Sequence, residues 1–239
     1  MIAARAAGAE PGRVVSVNVG VPRPVSWRGR IVHTAIFKYP VDDRVQVLGV
    51  NLVGDDQADR EVHGGPDKAV YAYAREDLDW WAGELGRPLP HGVFGENLTV
   101  TGTAVTGAVI GERWRIGTAE LEVCGPRVPC YKLGIRMDDD GYPRRFAAAG
   151  RPGAYLRILV SGSVGAGDEV IVAHQPGHGV TVRAVAHAFH RDRARAAEIL
   201  AAPELAEFWR SWAQQLLDRD LRRRPPPRVD QRGEPEQRG

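Results

Sequence analysis

Short apolar runs separated by glycine-rich turns dominate the first two thirds of the chain. Val14–Val19 is rich in β-branched residues, and Arg44–Val53 alternates apolar with polar positions. Both patterns are typical of β-strands, because successive strand side chains point to opposite faces. Further segments follow the same pattern: Ala69–Tyr73, Val109–Ile116, Ala119–Cys124, Tyr155–Val160 and Glu169–Ala173. Many short strands with glycine punctuation predict a mainly β fold, a closed or nearly closed barrel rather than a βαβ sheet.

Helical patterns interrupt and follow this β-rich region. Arg75–Leu85 carries acidic residues near its start, where the helix dipole favours them, and this predicts a helix. Beyond residue 178 the period changes and predicts three short helices: Val182–His190, Arg193–Ala201 and Glu204–Leu217, the last with Pro203 in its first turn.

These patterns divide the chain into four parts. Residues 1–12 are rich in Ala and Gly and predict a flexible N-terminus. Residues 13–177 are predicted to form the barrel, and residues 178–218 a small three-helix domain. Residues 219–239 contain three consecutive prolines and almost no apolar side chains, so we expect a disordered tail.

Composition places the chain among soluble globular proteins. Of its 239 residues, 43% are hydrophobic and 26% are charged, which is close to the averages of globular domains. No window holds the roughly 18 apolar residues of a membrane helix. The N-terminus also lacks the apolar core of a signal peptide. We therefore expect a cytoplasmic protein that does not contact a membrane.

The cysteine count limits the redox chemistry of the chain. It has two cysteines, Cys124 and Cys130, too few for a disulfide scaffold or for an iron–sulfur cluster with its usual four cysteine ligands. No Gly-x-Gly-x-x-Gly segment opens a helix after a strand, so a Rossmann nucleotide site is not predicted. A redox reaction would therefore need electrons from a separate reductase.

Charge and the helical segment argue against nucleic acid as a partner. The net charge is +2, and the basic surplus lies in the tail 219–239, with seven arginines against four acidic residues. Three short helices could form a helix-turn-helix DNA reader. The third, ELAEFWRSWAQQLL, combines two glutamates with two tryptophans and is a poor surface for phosphates and base edges. We interpret the three helices as a packing appendage.

A polar loop before a predicted strand contains the first candidate site residues, HGGPDK at positions 63–68. Paired glycines let the backbone approach a ligand and expose N–H groups, which suits anion binding. Lys68 is one of three lysines, with Lys38 and Lys132, among 32 basic residues. The ammonium of lysine is a compact charge, whereas the guanidinium of arginine is a planar fork. The use of a lysine at position 68 in an arginine-rich chain therefore favours a specific role for Lys68. A glycine turn with a surface lysine explains the same residues.

A second candidate loop is FGENLTV, which ends in a predicted strand. Glu96 and Asn97 offer a carboxylate and an amide that together can pair with the edge of a heterocycle. The alternative is an ordinary turn, since Asn and Gly are favoured there.

The third candidate loop is GPRVPCYKL, in which two prolines stiffen a segment that places Cys130 between Arg127 and Lys132. Adjacent cations favour the thiolate, the form that binds metals or attacks electrophiles. An inert loop thiol is the alternative. Cys124, at the end of an alternating strand, is interpreted as a small buried hydrophobe. The Cys-x5-Cys spacing does not match the short zinc pattern.

Three segments of the chain keep a characteristic order and spacing: GDDQADREVHGGPDKAVYAY, FGENLTVTG and LEVCGPRVPCYKL. They closely resemble the MOSC domain, named for the C-terminal domain of molybdenum-cofactor sulfurases. The resemblance extends from about Val14 to Ala173. The three helices after it resemble the small helical domain of stand-alone bacterial members, which are associated with detoxifying N-hydroxylated purines. One departure is Cys124-Gly125, where Ser-Gln is expected, and the role of this second thiol stays open.

The resemblance implies a barrel-like fold, a molybdenum–molybdopterin cofactor and a cysteine ligand to molybdenum, which maps onto Cys130. A glycine-rich loop and cations suit the phosphate of molybdopterin, and the Glu96–Asn97 pair suits its pterin edge. A soft thiolate suits a metal already bound by sulfur. The residues assigned to the cofactor are His63, Gly64, Gly65, Asp67, Lys68, Glu96, Asn97, Arg127 and Lys132.

The expected function is reduction of N-hydroxylated bases or related compounds by oxygen-atom abstraction at molybdenum. R–NHOH would take up two electrons and two protons and give R–NH2 and water. The cofactor performs the difficult step, while the protein orients and tunes it. His63 or Asp67 is expected to relay a proton, and orientation of the loop is an equal alternative for His63. The alternative function is a non-catalytic module that binds the cofactor or carries its sulfur on Cys130.

Overall fold

The computed structural model describes residues 11–58 and 64–223. Thirteen strands lie in these ranges: β1 Gly12–Val19, β2 Arg23–Trp27, β3 Arg30–Thr34, β4 Tyr39–Val41, β5 Val45–Leu48, β6 Asn51–Leu52, β7 Val70–Ala74, β8 Leu98–Thr101, β9 Arg113–Ile116, β10 Ala119–Pro126, β11 Ala154–Val160, β12 Gly162–Val164 and β13 Glu169–His174. The α-helices of the same ranges are α1 Arg75–Leu85, α2 Tyr131–Met137, α3 Tyr142–Ala149, α4 Val182–His190, α5 Ala196–Ile199 and α6 Glu207–Arg223. None of these helices has the length and apolar composition needed to cross a bilayer.

Seven strands form a closed barrel. They neighbour one another in the order β13-β9-β10-β11-β7-β8-β1, and pairing of β1 with β13 closes the ring. The neighbours run antiparallel except β7 and β8, which are parallel. Because side chains alternate across a strand, Trp114 and Ile116 of β9 fill the interior while Arg113 and Arg115 stay exposed. The predicted mainly β, barrel-like fold is confirmed.

Two predicted strands differ from the observed elements. Arg44–Val53 forms two strands, because the chain turns at Gly49 (φ +64°) between β5 and β6, which pair with each other beside β12. Val109–Ile116 is a strand only from Arg113, since Gly111 (φ +85°) turns the chain before β9. A left-handed φ is accessible to glycine at little steric cost. An apolar pattern can therefore continue through a turn that ends the strand.

An outer layer beside the barrel contains helices that the sequence pattern does not predict. The prediction has α1 as the one helix of this region, whereas α2 and α3 lie between β10 and β11. They have 7 and 8 residues, too few to be stable in isolation. Their Leu133 and Phe146 pack with Trp81 of α1 and with Phe94 in a second hydrophobic cluster. Tertiary packing, not local pattern, stabilises these two helices.

The C-terminal helices agree with the prediction at the first helix and depart from it afterwards. Helix α4 has the predicted bounds. The second segment is a 3-10 turn, Arg193–Arg195, followed by the short α5. Helix α6 begins at Glu207 rather than Glu204, because the N–H of Ala206 donates to the carbonyl of Cys124 in β10 (2.9 Å) and holds the preceding segment as a turn.

Helix α6 also continues to Arg223, five residues into the segment predicted to be a disordered tail. Arg and Leu are good helix formers, and they extend the helix beyond its packed part. The rest of the tail, from residue 224, and most of the predicted flexible N-terminus lie outside the described residues.

One guanidinium joins the barrel to the C-terminal helices. Arg157 of β11 donates from Nε to Asp67 Oδ1 (2.9 Å) and from Nη1 to Glu122 Oε1 (2.9 Å). Its Nη1 also donates to the carbonyl of Glu204 (3.0 Å). Asp67 Oδ2 accepts in turn from the N–H of Glu207 (3.3 Å), the first residue of α6. Charge-assisted bonds of this kind are stronger than neutral ones, so the network positions the start of α6 against the loop at residue 67.

Trp209 of α6 lies directly over β10 at Gly125. A Cβ at position 125 would lie 2.5 Å from Trp209 Nε1 and 2.8 Å from its Cδ1. The indole is 4% exposed and stands edge-on to Phe189 of α4, with ring centroids 5.1 Å apart. Glycine at position 125 therefore allows Trp209 of α6 to pack closely on the barrel.

Gly125→Ala is expected to lower the free energy of unfolding by about 1–3 kcal/mol, because overpacking forces side chains and backbone to shift. Gly83→Ala in α1 is the matched control: a Cβ there meets no atom within 4 Å, and Ala favours a helix over Gly by up to about 1 kcal/mol. Urea denaturation of both variants measures the difference. Wild-type stability of the Gly125 variant would contradict the close packing of Trp209.

Candidate functional site

Two adjoining cavities share part of their lining. The smaller has a volume of about 110 Å³ and lies beside the loop that precedes β8. The larger has a volume of about 510 Å³ and lies between the barrel and α6. Lys68, Cys130 and Tyr155 line both cavities. Cys130 therefore lies at their junction.

The smaller cavity is lined by cations from separate parts of the chain. All three lysines, Lys38, Lys68 and Lys132, line it together with Arg127. Two aspartates are the carboxylates among its described lining residues. Every other basic residue of the chain is an arginine, so the fold brings the whole lysine content of the protein to one place. A cavity with this charge is suited to an anion.

Arg127 is the most deeply buried of these cations and is 6% exposed. Its Nη1 donates to the carbonyl of Phe94, and its guanidinium lies over the ring of Tyr71, 5.1 Å from the centroid. No ion pair between described residues includes Arg127. A buried charge is costly unless a counter-charge or sufficient hydrogen bonds compensate it. This guanidinium would therefore be stabilised by an anion in the cavity.

Lys38 is a buried cation that the sequence analysis does not assign to the site. Its Nζ forms an ion pair with Asp55 Oδ1, which also accepts from the N–H of Gly20 (2.8 Å). Burial lowers the pKa of Lys38, and the neighbouring Asp55 carboxylate opposes that shift. The signal in the sequence that identifies Lys38 is the rarity of lysine itself.

The two cysteines occupy different environments, and neither is in a disulfide. Cys130 is half-buried and immediately precedes α2. Cys124 is fully buried, and its single S–H group lies within hydrogen-bond distance of the carbonyl oxygens of Asp67 (3.2 Å) and Tyr155 (3.4 Å). Burial raises the pKa of Cys124 to about 12, so its reactive thiolate is scarce near neutral pH. Cys130 is therefore the more accessible of the two thiols, and it lines both cavities.

Glu96 supports the wall of the smaller cavity from behind and does not line it. Its side chain has no exposed surface. One carboxylate oxygen accepts from the N–H of Gly92 (2.6 Å) and the other from the N–H of Phe94 (2.9 Å). The predicted contact of Glu96 with a heterocycle edge therefore needs correction: the carboxylate is used to hold its own loop.

Asn97 lines the smaller cavity, but its amide is engaged within the protein. Its Oδ1 accepts from the N–H of Tyr71 (3.0 Å), and its Nδ2 donates to Asp55 Oδ2 (2.9 Å). These bonds join the start of β8 to β7 and to the Lys38–Asp55 ion pair. Asn97 is thus placed to fix the shape of the cavity wall.

The loop before β7 borders both cavities. Gly64, Asp67 and Lys68 line the larger one, and Gly65 has φ +91°, a backbone conformation that favours glycine. The Arg157 guanidinium holds Oδ1 of Asp67 in a bidentate contact (Nε 2.9 Å, Nη2 2.8 Å). This ion pair favours a tethering role for Asp67 over the predicted proton relay. His63 lies outside the described residues.

The structure therefore brings Lys68, Arg127, Cys130 and Lys132 together as the sequence predicts. It adds two aromatic walls that the sequence analysis missed, Tyr71 of β7 and Tyr155 of β11. Both were parts of apolar strand patterns, and only barrel closure shows that they face the cavity.

The burial of Cys124 predicts different reactivity for the two thiols. In native protein prepared without a cofactor, one thiol per chain is expected to react with Ellman's reagent near neutral pH, and both in denaturant. Cys130→Ser should abolish the native reaction, and Cys124→Ser should leave it. Reaction of both thiols in the native protein would contradict the burial of Cys124.

The raised pKa of the buried Glu96 carboxyl predicts that the stability of the protein depends on pH. Burial raises the pKa of Glu96 to about 7, against about 4.3 for an unperturbed glutamate. Because the folded state binds this proton more tightly, the stabilisation is fully present below about pH 4.3. It is lost as the pH rises through about 7. One pKa unit corresponds to about 1.4 kcal/mol, so the total change is a few kcal/mol.

From about pH 5 to about pH 8, the free energy of unfolding of the wild type should fall relative to that of Glu96→Gln. The variant has an amide that does not titrate, so the difference between the two proteins removes the titration of other groups. Urea denaturation at each pH measures it. A difference that stays constant over this range would show that Glu96 does not titrate there.

Comparison with known proteins assigns the family. A family model described as the MOSC domain matches residues 59–171, which include Lys68, Arg127 and Cys130. The uncharacterized protein YflK of Bacillus subtilis is 34% identical over 87% of this chain and 96% of its own length. Protein YiiM of Escherichia coli is 32% identical over 74% of this chain and 81% of its own length. A Gibberella moniliformis protein named "Reductase" is 31% identical over 70% of this chain and 30% of its own length.

A solved structure supports the same assignment. The crystal structure of YiiM from Geobacillus stearothermophilus superimposes with a TM-score of 0.71 and 30% sequence identity, covering 87% of this chain and 100% of that one. The likeness thus includes more than the segment that the family model matches. From its relatives, its closed barrel and the residues around Cys130, the chain belongs to the MOSC domain family and resembles YiiM.

Proposed function

We propose that the protein binds the molybdenum cofactor and reduces N-hydroxylated bases or related compounds. The MOSC family is associated with the molybdenum cofactor, and one distant relative is named "Reductase". The observation that carries the proposal is Arg127, a buried guanidinium without a described carboxylate partner, in a cavity that also gathers every lysine of the chain.

The residues around the smaller cavity fit the anionic end of that cofactor. Lys68, Lys132 and Arg127 would hold its phosphate, since ammonium and guanidinium groups are the common phosphate binders in proteins. A volume of about 110 Å³ is below the roughly 300–1,000 Å³ of a typical small-molecule pocket. The cavity therefore suits a phosphate rather than the whole cofactor. Cys130, at the junction of the cavities, would supply a soft thiolate to the metal.

When bound, the cofactor would supply a two-electron centre at which R–NHOH, two electrons and two protons give R–NH2 and water. The chain itself would bind and orient. Asn97 and Glu96 keep the cavity wall in place, and the Asp67–Arg157 ion pair holds the loop that carries Lys68. With Asp67 in that ion pair, His63 is the proton-relay candidate that the sequence offers.

The electrons would come from a separate protein. The chain has two cysteines, and one of them is buried with a raised pKa, so it cannot hold a four-cysteine cluster. The matched segment covers 30% of the fungal relative named "Reductase". We propose that an independent reductase delivers electrons to this chain in the cell.

Production in a host that makes the cofactor tests the proposal. We expect about one molybdenum per chain by elemental mass spectrometry. We also expect reduction of phenylhydroxylamine to aniline with reduced methyl viologen, a chemical donor that replaces the reductase. Bound molybdenum without turnover would favour the alternative, a module that binds or hands on the cofactor. Absence of molybdenum and of pterin would overturn both.

The thiol variants test the metal ligand. Cys130→Ser should keep the pterin, measured by fluorescence after oxidative release, but lose reduction, because a neutral hydroxyl replaces a soft thiolate. Cys124→Ser is the matched control and should keep both, at a stability cost on the order of 1 kcal/mol. Full activity in Cys130→Ser with an inactive Cys124→Ser would reverse the assignment.

A further inference from the structure

We infer that the larger cavity binds the flat aromatic part of the substrate and that Phe208 and Trp209 of α6 select for it. The inference rests on the proposed function, because it places the substrate of that reaction.

The walls of the larger cavity are mainly apolar and aromatic. Trp209 and Phe208 form the α6 side, with ring centroids 5.0 Å apart and planes at 79°. Val128 and the ring of Tyr155 lie on the barrel side. The volume of about 510 Å³ is in the range of about 300–1,000 Å³ found for small-molecule sites. A flat ring system is the ligand shape that such aromatic walls stack best.

The exposure of Phe208 is consistent with a ligand surface. Its side chain is 53% exposed, whereas Trp209 is 4% exposed and fixed over Gly125. The ring of Phe189 packs edge-on against Trp209, with centroids 5.1 Å apart. Trp209 therefore provides a rigid wall. A ring bound in the cavity would remove water from Phe208, and this burial favours binding.

The polar groups of the cavity lie where the two cavities meet. Cys130 and Lys68 line both cavities, and Trp209 and Phe208 line the larger one from α6. A substrate stacked on these rings would thus direct its N-hydroxy group towards Cys130, the proposed metal ligand. Small aliphatic hydroxylamines would reach the same thiol without contacting the aromatic side chains of the cavity walls.

The C-terminal helices therefore complete a binding site as well as pack against the barrel. The bond from the N–H of Glu207 to Asp67 (3.3 Å) fixes the first turn of α6 to the loop that carries Lys68. The same turn presents Phe208 and Trp209. The binding of the ring and the binding of the anion are thus linked through this contact and through the Arg157 bonds to Asp67 and Glu204.

Binding of 2-aminopurine, a fluorescent and non-reducible flat amine, tests the cavity directly. We expect the protein purified from a cofactor-producing host to quench its fluorescence by stacking. Phe208→Ala should weaken the affinity about tenfold, within the range of base–aromatic stacking measured by alanine substitution. Because Phe208 is exposed, its removal should leave the fold intact. Leu221→Ala, an exposed position (64%) on the same helix that does not line the cavity, should bind as the wild type does.

Kinetics separate this inference from the proposed function. Phe208→Ala should raise KM for phenylhydroxylamine about tenfold and leave KM for N-methylhydroxylamine unchanged. If both compounds are reduced and the variant alters neither KM nor 2-aminopurine binding, the cavity assignment is overturned and the function stands. If neither compound is reduced while 2-aminopurine binds in a Phe208-dependent way, the function fails and the aromatic site is supported.

Discussion

Arg127 has its guanidinium inside the protein, where the described residues provide a carbonyl, a hydrogen bond with the Tyr71 side chain and aromatic faces but no carboxylate ion pair. The rings of Tyr71 and Phe146 lie 5.1 and 6.0 Å from it, so the barrel and the outer helices both contact one charge. Such a charge stays buried only if the surroundings hold it rigidly or a ligand neutralises it. Several residues of the site hold the Arg127 guanidinium in place. Glu96 fixes the loop whose Phe94 carbonyl accepts from Arg127.

A second arginine, Arg157, organises the other side of the site. It connects β11 to Glu122 of β10, to Asp67 in the loop before β7 and to the carbonyl of Glu204 ahead of α6. Each partner belongs to a different segment. The position of the C-terminal helices therefore depends on the same loop that carries Lys68 to the cavities. Lys68 and Cys130 line both cavities.

The two cysteines differ in the burial of their thiols. Cys124 is fully buried with its S–H group near two carbonyl oxygens, and burial raises its pKa to about 12. Cys130 lies six residues further on, beyond the end of β10, where the cavities meet. Sequence spacing alone treats the two as neighbours. The fold therefore distinguishes a fully buried thiol from a half-buried one that lines both cavities.

Local patterns predicted the elements whose stability is largely local or repeated. The barrel strands beginning at Val70 and Ala119 follow from alternation and glycine turns, and α1 and α4 from their periodicity and end signals. Helices α2 and α3 were not predicted, since packing against Trp81 and Phe94 stabilises them. The start of α6 was misplaced by three residues, because a bond to β10 decides it.

The sequence by itself determined the fold class, the family and a short set of candidate residues, since motif order and residue chemistry are properties of the chain. It singled out Lys68, Arg127, Cys130 and Lys132, and the fold brings them to one cavity. Tertiary structure alone decided which side chains can reach a ligand. The Glu96 carboxylate accepts hydrogen bonds from N–H groups of its own loop, while Phe208 and Trp209 form the wall of a second cavity. The reason is that hydrogen-bond satisfaction and exposure depend on partners from distant segments, which no local pattern records.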